Sequence, residues 1–119
     1  MRKAVHILTG MVAFAAYSFV LAGHANPPAA TWAFGFAAAG LGSLLPDILE
    51  PAGGPHHRAF FHSRRVLFFA LAGFCLLAPA AVLLAPLPAF RYPYYAASFL
   101  LGYALHLLAD SLTRAGLPR

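Results

Sequence analysis

Four long apolar stretches, separated by short polar or proline-rich breaks, run over about 4–23, 29–46, 64–88 and 93–114. A hydrocarbon core of about 30 Å needs roughly 20 mostly apolar residues at about 1.5 Å rise each, so every stretch is long enough for a spanning helix. The breaks differ in character. "HANPP" places two prolines after the first stretch and forces an extended turn. The segment from Asp47 to Ser63, "DILEPAGGPHHRAFFHS", is the long polar one, and its two prolines and the Gly53-Gly54 pair forbid a continuous helix. "PLPAFRYPYY" reverses the chain with tyrosines at the depth of an aromatic belt, and Gly116 with Pro118 stops the last helix. Pro46 is the expected end of helix 2, Ser63 the N-cap of helix 3 and Pro79 a kink within it. The pattern predicts an all-α polytopic membrane protein with four transmembrane helices, a polar loop between helices 2 and 3, and one transmembrane domain over 1–119.

Composition sharpens this picture. With 61% apolar and 9% charged residues, the chain is far from an ordinary soluble domain. The formal charge of +5 invites a nucleic-acid reading, but the basic residues form no stripe with interleaved aromatics. They sit at helix ends instead. Arg2, Lys3, Arg58, Arg64, Arg65, Arg114 and Arg119 fall at one end of the predicted bundle and only Arg91 at the other. The positive-inside bias then places both termini and the central loop in the cytoplasm.

The start, "MRK" followed by an apolar run and "LAGHANP", resembles a cleavable signal, with Gly23 and Ala25 spaced for a cut. The apolar run is longer than a signal core, and further membrane segments follow, so an uncleaved helix is expected. The single cysteine, Cys75, forms no internal disulfide and leaves the redox compartment open. A faint repeat aligns "LLPDILEPAG" with "LLADSLTRAG", pairing Asp47 with Asp110 and hinting at two related helix pairs.

The ionisable groups converge on one layer of this topology. His6 opens helix 1, Asp47 and Glu50 close helix 2, His56, His57 and His62 lie in the central loop, and His106 and Asp110 face inward near the end of helix 4. Ionisable residues within a membrane are costly and read by default as functional. His106 and Asp110, four apart, lie about 40° apart around a helix, with Gly102 on the same stripe leaving space beside them. Such a His-x-x-x-Asp face presents two ligands to one ion. His57 and His62 diverge by about 140° on a regular helix, so they share an ion only if the loop is irregular. A mixed nitrogen and oxygen set with His6 and Asp47 suits zinc first, then manganese or iron. Plainer readings stand beside these: His6 as an interfacial residue, His56 as a neighbour of the site, Ser63 as a cap, Arg64 and Arg65 as topology determinants.

"HILTG", "GSLLPDILEP", "HHRAFFHS" and "GYALHLLADSLTRAGLP", in that order across nearly the whole chain, resemble the YdjM-like family of small bacterial inner-membrane proteins, described as membrane-bound metal-dependent hydrolases. The resemblance implies a multi-pass protein of the bacterial inner membrane with a divalent metal site. Its motif positions are His6, Asp47, His57, Arg58, His62, Ser63, His106, Asp110 and Thr113. Leu49 stands where many members have a second aspartate, and Phe61 where they have threonine, so Glu50 is the candidate second carboxylate. A more distant similarity to all-helical zinc-dependent phospholipases C points to phosphoester cleavage.

The metal ligands expected on these grounds are His6, Asp47, His57, His62, His106 and Asp110, with Glu50 or one of the aspartates as base and Arg58 stabilising phosphoryl charge. The expected activity is metal-dependent hydrolysis at the cytoplasmic face, on a phosphoester or lipid-linked substrate, with membrane lipids as partners and no nucleic acid. The alternative is a non-catalytic metal-binding membrane protein or a small transport or interaction component. Transport is disfavoured because helix 3 lacks polar residues through the membrane depth.

Overall fold

The computed structural model describes residues 3–51, 60–112 and 117–118, and among these it is all-helical. Helix α1 spans Lys3–Ala22, α2 Ala29–Leu49, α3 Arg64–Leu83 and α4 Arg91–Ser111, with a 3-10 turn at Pro88–Phe90 leading into α4.

The boundaries depart from the expected ones at the prolines. Helix α2 continues past Pro46 to Leu49 rather than stopping at 46. Proline removes one backbone donor and crowds the preceding turn, yet helices in lipid tolerate it where neighbouring groups satisfy the freed backbone. Helix α3 stops at Leu83 rather than 88, because Pro86 and Pro88 follow its C-cap at Leu84, while Pro79 stays inside it. Helix α4 starts two residues earlier than 93, since Pro93 in its first turn costs no helical hydrogen bond. Ser63 caps α3 as expected, its Oγ accepting from the Val66 N–H at 3.3 Å.

Helices α1, α2 and α3 are each long and apolar enough to cross a membrane. The expectation of four such spans is met by three. Helix α4 carries Arg91, four tyrosines, His106 and Asp110, and it is the central element of the bundle, packing on all three other helices. Its polar residues are sheltered by protein: Tyr94, Ser98, Tyr103, His106 and Asp110 are all buried. The outer helices show the reverse, with Phe19, Leu76 and Leu83 among many large apolar side chains directed outward. Such an apolar periphery suits lipid.

The closest helix pair is α2 with α4, and glycines make it so. A Cβ on Gly42 would run into the Phe99 carbonyl of α4, and one on Gly102 into the Ala39 carbonyl of α2. One step along, Gly35 leaves room for the Tyr94 ring. Association in lipid lacks a hydrophobic drive between helices, so small residues that admit backbone contact hold such a crossing together. The order of contacts, Gly35 with Tyr94, Ala39 with Gly102 and Ser43 with His106, shows that α2 and α4 run parallel. Helix α1 lies antiparallel to them. It buries His6, Gly10, Phe14, Tyr17 and Leu21, a stripe at intervals of four and three. Tyr17 meets Tyr94 at one end and His6 meets His106 at the other.

Candidate metal centre

The parallel register of α2 and α4 brings their last turns together. One turn beyond the Ala39–Gly102 contact, His106 Nδ1 donates to the Ser43 carbonyl at 2.7 Å. One turn further still, Asp47 and Asp110 flank that imidazole, with Asp47 Oδ1 at 3.6 Å and Asp110 Oδ2 at 3.8 Å from His106 Nε2. The gap beside Gly102, expected to be open, is filled by the α2 backbone, and that filling carries His106 to Ser43.

His62 arrives from the chain entering α3. Its backbone N–H and that of Phe61 both donate to the Glu50 carboxylate, at 3.2 and 2.9 Å, and its Nδ1 donates to Glu50 Oε2 at 2.9 Å. Tyr103 Oη donates to the Phe61 carbonyl at 3.0 Å and pins the same segment to α4. Burial opposes charge on Glu50, but the hydrogen bonds from Phe61 and His62 prevail and hold its carboxyl below the usual value.

These contacts fix the tautomer that each ring adopts when neutral. A carbonyl oxygen only accepts, so neutral His106 carries its proton on Nδ1; the Glu50 carboxylate demands the same of His62. In that form the Nε2 atoms, 3.4 Å apart, each offer a lone pair. His62 Nε2 is also 3.5 Å from Asp47 Oδ1 and 3.8 Å from Asp110 Oδ2. The two Nε2 atoms are 3.4 Å apart, with Asp47 Oδ1 at 3.5 and 3.6 Å and Asp110 Oδ2 at 3.8 Å from both, and the two aspartates fall in separate three-ligand groups. A tetrahedral ion with bonds of about 2.0–2.1 Å spaces its ligands by roughly 3.3–3.4 Å. The donor set and spacing of Asp47, His62 and His106 fit a divalent cation. The orienting partners on both Nδ1 atoms are the kind that metal-bound histidines use.

His6 stands beside this cluster. Its ring stacks on His106 with centroids 4.2 Å apart, and its Nε2 is 3.5 Å from Asp110 Oδ1. His6 Nδ1 is buried with no hydrogen-bond partner among the described residues. Two metal-competent groups result, His6 with His106 and Asp110, and Asp47 with His62 and His106. His62 and His106 are wholly buried, whereas the Asp47 side chain is 27% exposed and gives the centre its approach.

Of the residues expected at the site, His6, Asp47, Glu50, His62, His106 and Asp110 come together. His56, His57, Arg58 and Thr113 lie outside the described residues. The sequence reading missed Ser43, which acts through its backbone, and Tyr103, which fixes Phe61. A signal for Ser43 existed: the repeat that aligns Asp47 with Asp110 also aligns Ser43 with His106, and that offset of 63 is the packing register itself.

No curated protein and no solved structure compared with the chain matches it. The sequence model described as YdjM inner membrane protein matches residues 1–119, the whole chain. A bundle of apolar helices enclosing a histidine and aspartate cluster at one end is thus the form this family takes here: the protein is a membrane protein and belongs to the YdjM inner membrane protein family.

Proposed function

We propose that the chain is a metal-dependent hydrolase of the inner membrane, acting on a phosphoester or lipid-linked substrate at the cytoplasmic face. The observation that carries this reading is the convergence of His62 Nε2, His106 Nε2, Asp47 Oδ1 and Asp110 Oδ2, with both rings oriented from behind. Zinc is the first candidate for the ion, with manganese or iron next. In the same reading α4 is a fourth membrane crossing, its polar residues sheltered by the other helices. Both termini and the 47–63 segment face the cytoplasm, in keeping with the distribution of basic residues.

A zinc ion held by these residues would lower the pKa of a bound water to about 7 and polarise a phosphoryl oxygen. The chain's own residues supply the rest. Asp47, the most exposed ligand, lies where a substrate reaches the centre. Glu50 orients His62, since its carboxylate already accepts from three N–H groups, and general-base work passes to the aspartates. His6, against Asp110 Oδ1, is placed to take a proton from that carboxylate as well as to serve as a ligand. Arg58 keeps the charge-stabilising part its residue type suggests.

A closed, non-catalytic metal site is the second reading, favoured by the complete burial of His62 and His106. Metal analysis of the detergent-purified protein, with His106→Ala and Asp110→Ala beside it, tests the centre. Absence of stoichiometric transition metal from the unaltered protein would sink it. Hydrolysis of a phosphoester panel, lost on metal removal and restored on its return, separates the enzyme from the closed site.

A further inference from the structure

A cavity of about 270 Å³ lies beside the metal centre, and its lining is almost wholly apolar. Helix α2 contributes Leu45 and Leu49, α3 contributes Val66 and Phe69, and α4 contributes Phe99 and Tyr103. The cavity exists because the glycine crossing draws α2 onto α4, while α3 packs chiefly on α4 and shares no extensive contact with α2. Phe60 and Phe61 close it at the end nearest His62. Among the described residues its one polar side chain is Tyr103, whose Oη is turned to the Phe61 carbonyl.

Three features specify the occupant. The mouth is framed by Leu49, Phe60 and Phe69, all exposed and apolar, so it opens toward hydrocarbon rather than water. Phe99, Tyr103, His106 and Asp110 follow one another along α4 at intervals of four, three and four, so cavity and metal centre occupy successive turns of one helix face. Finally, α3 enters the cavity wall directly after Arg64 and Arg65, two exposed cations, which complement an anionic headgroup. Apolar below, cationic at the rim and metal-binding at the end of the same stripe, the arrangement matches an amphiphile whose phosphate sits above a single hydrocarbon chain.

We infer that this cavity seats one hydrocarbon chain of an anionic phospholipid, entering sideways between α2 and α3, with the phosphate directed toward the Asp47 side of the metal centre. The inference rests on the hydrolase reading for what happens to the phosphate, but not for the seating of the chain.

The test uses the full chain in phosphatidylcholine vesicles containing phosphatidic acid with a diazirine near the end of one acyl chain. After photolysis, label is expected on the peptides carrying Val66 and Phe69 and those carrying Phe99 and Tyr103. Leu49→Trp, an exposed position where added bulk spares the core, narrows the mouth and lowers that label about tenfold. Zinc content and cleavage of a soluble phosphoester stay as in the unaltered chain. Label undiminished in Leu49→Trp, or spread evenly over the outer faces of α1 and α3, overturns the inference. Chamber labelling in a chain that neither binds zinc nor cleaves the soluble ester removes the hydrolase reading and leaves the lipid seat standing.

Discussion

Gly102 of α4 lies against the backbone of Ala39 on α2, and one turn later His106 Nδ1 reaches the Ser43 carbonyl at 2.7 Å. The two contacts are one device, because the imidazole meets a backbone oxygen of the other helix only when no side chain holds the helices apart. Gly102→Val therefore acts on the site from a distance of one turn. Inserting methyl groups into so close a crossing costs about 1–3 kcal/mol or more. The expected result is a lower unfolding midpoint in detergent together with lost metal stoichiometry. Full metal content in the variant would separate the crossing from the centre.

Glu50→Gln tests the orientation of His62. An amide oxygen still accepts, but without charge, and loss of such an outer partner typically weakens metal binding about 10–100-fold. Competition against a chromophoric chelator measures the change. The same residue sets an acid limit on the metal-free protein. Its folded pKa lies below the unfolded one, so its contribution is fully present above the ordinary carboxylate range and is lost as pH falls through the lowered value. Unfolding followed from neutral to acid pH is expected to show this decline in the unaltered chain and a flatter profile in Glu50→Gln.

Metal removal is expected to destabilise the whole bundle, since the histidines and aspartates that converge from three chain segments lose the charge that joins them. An ion present at a thousandfold over its dissociation constant contributes about 4 kcal/mol through mass action. Chelator treatment should lower the thermal midpoint, and zinc should restore it. Asp47→Asn, at the most exposed ligand, should abolish the response with little effect on the apo-protein.

Much of this centre is legible in the sequence. His106 and Asp110 declare themselves by spacing in an apolar helix, and Asp47 and His62 by sharing their side of the predicted bundle. The carbonyl of Ser43 is not legible, because any residue type supplies a carbonyl and only packing selects which one is used. The run of α2 through Pro46 is hidden for a related reason: a proline signals a break, and neighbouring helices decide whether it occurs. The sequence also marks α4 as a fourth span by length, whereas its polar content follows from its central place among three apolar helices.

Ser63→Ala offers a control near the site that should leave it intact. Loss of the cap to Val66 costs roughly 1 kcal/mol of stability. Metal content should be unchanged. Tyr103→Phe, by contrast, releases the Phe61 carbonyl and should loosen His62, read as faster metal loss to a chelator at similar overall stability.

Topology is tested with Cys75→Ser as background and single cysteines at exposed positions at opposite ends of the bundle, Arg65→Cys and His24→Cys. Impermeant maleimide added to inverted membrane vesicles should label position 65 and spare position 24, with the reverse in intact cells. The opposite pattern would turn the metal centre to the outer face.

The glycine crossing divides the centre into a frame and a gate. Ser43, Asp47, His106 and Asp110 ride on two helices riveted backbone to backbone, so none of them withdraws without parting the whole seam. His62 hangs on a short strap secured by Glu50 and Tyr103, and those hydrogen bonds release far more easily than packed backbone. Under the proposed function, exchange of the ion and departure of a product would fall to the strap, while the frame would hold the place to which the ion returns.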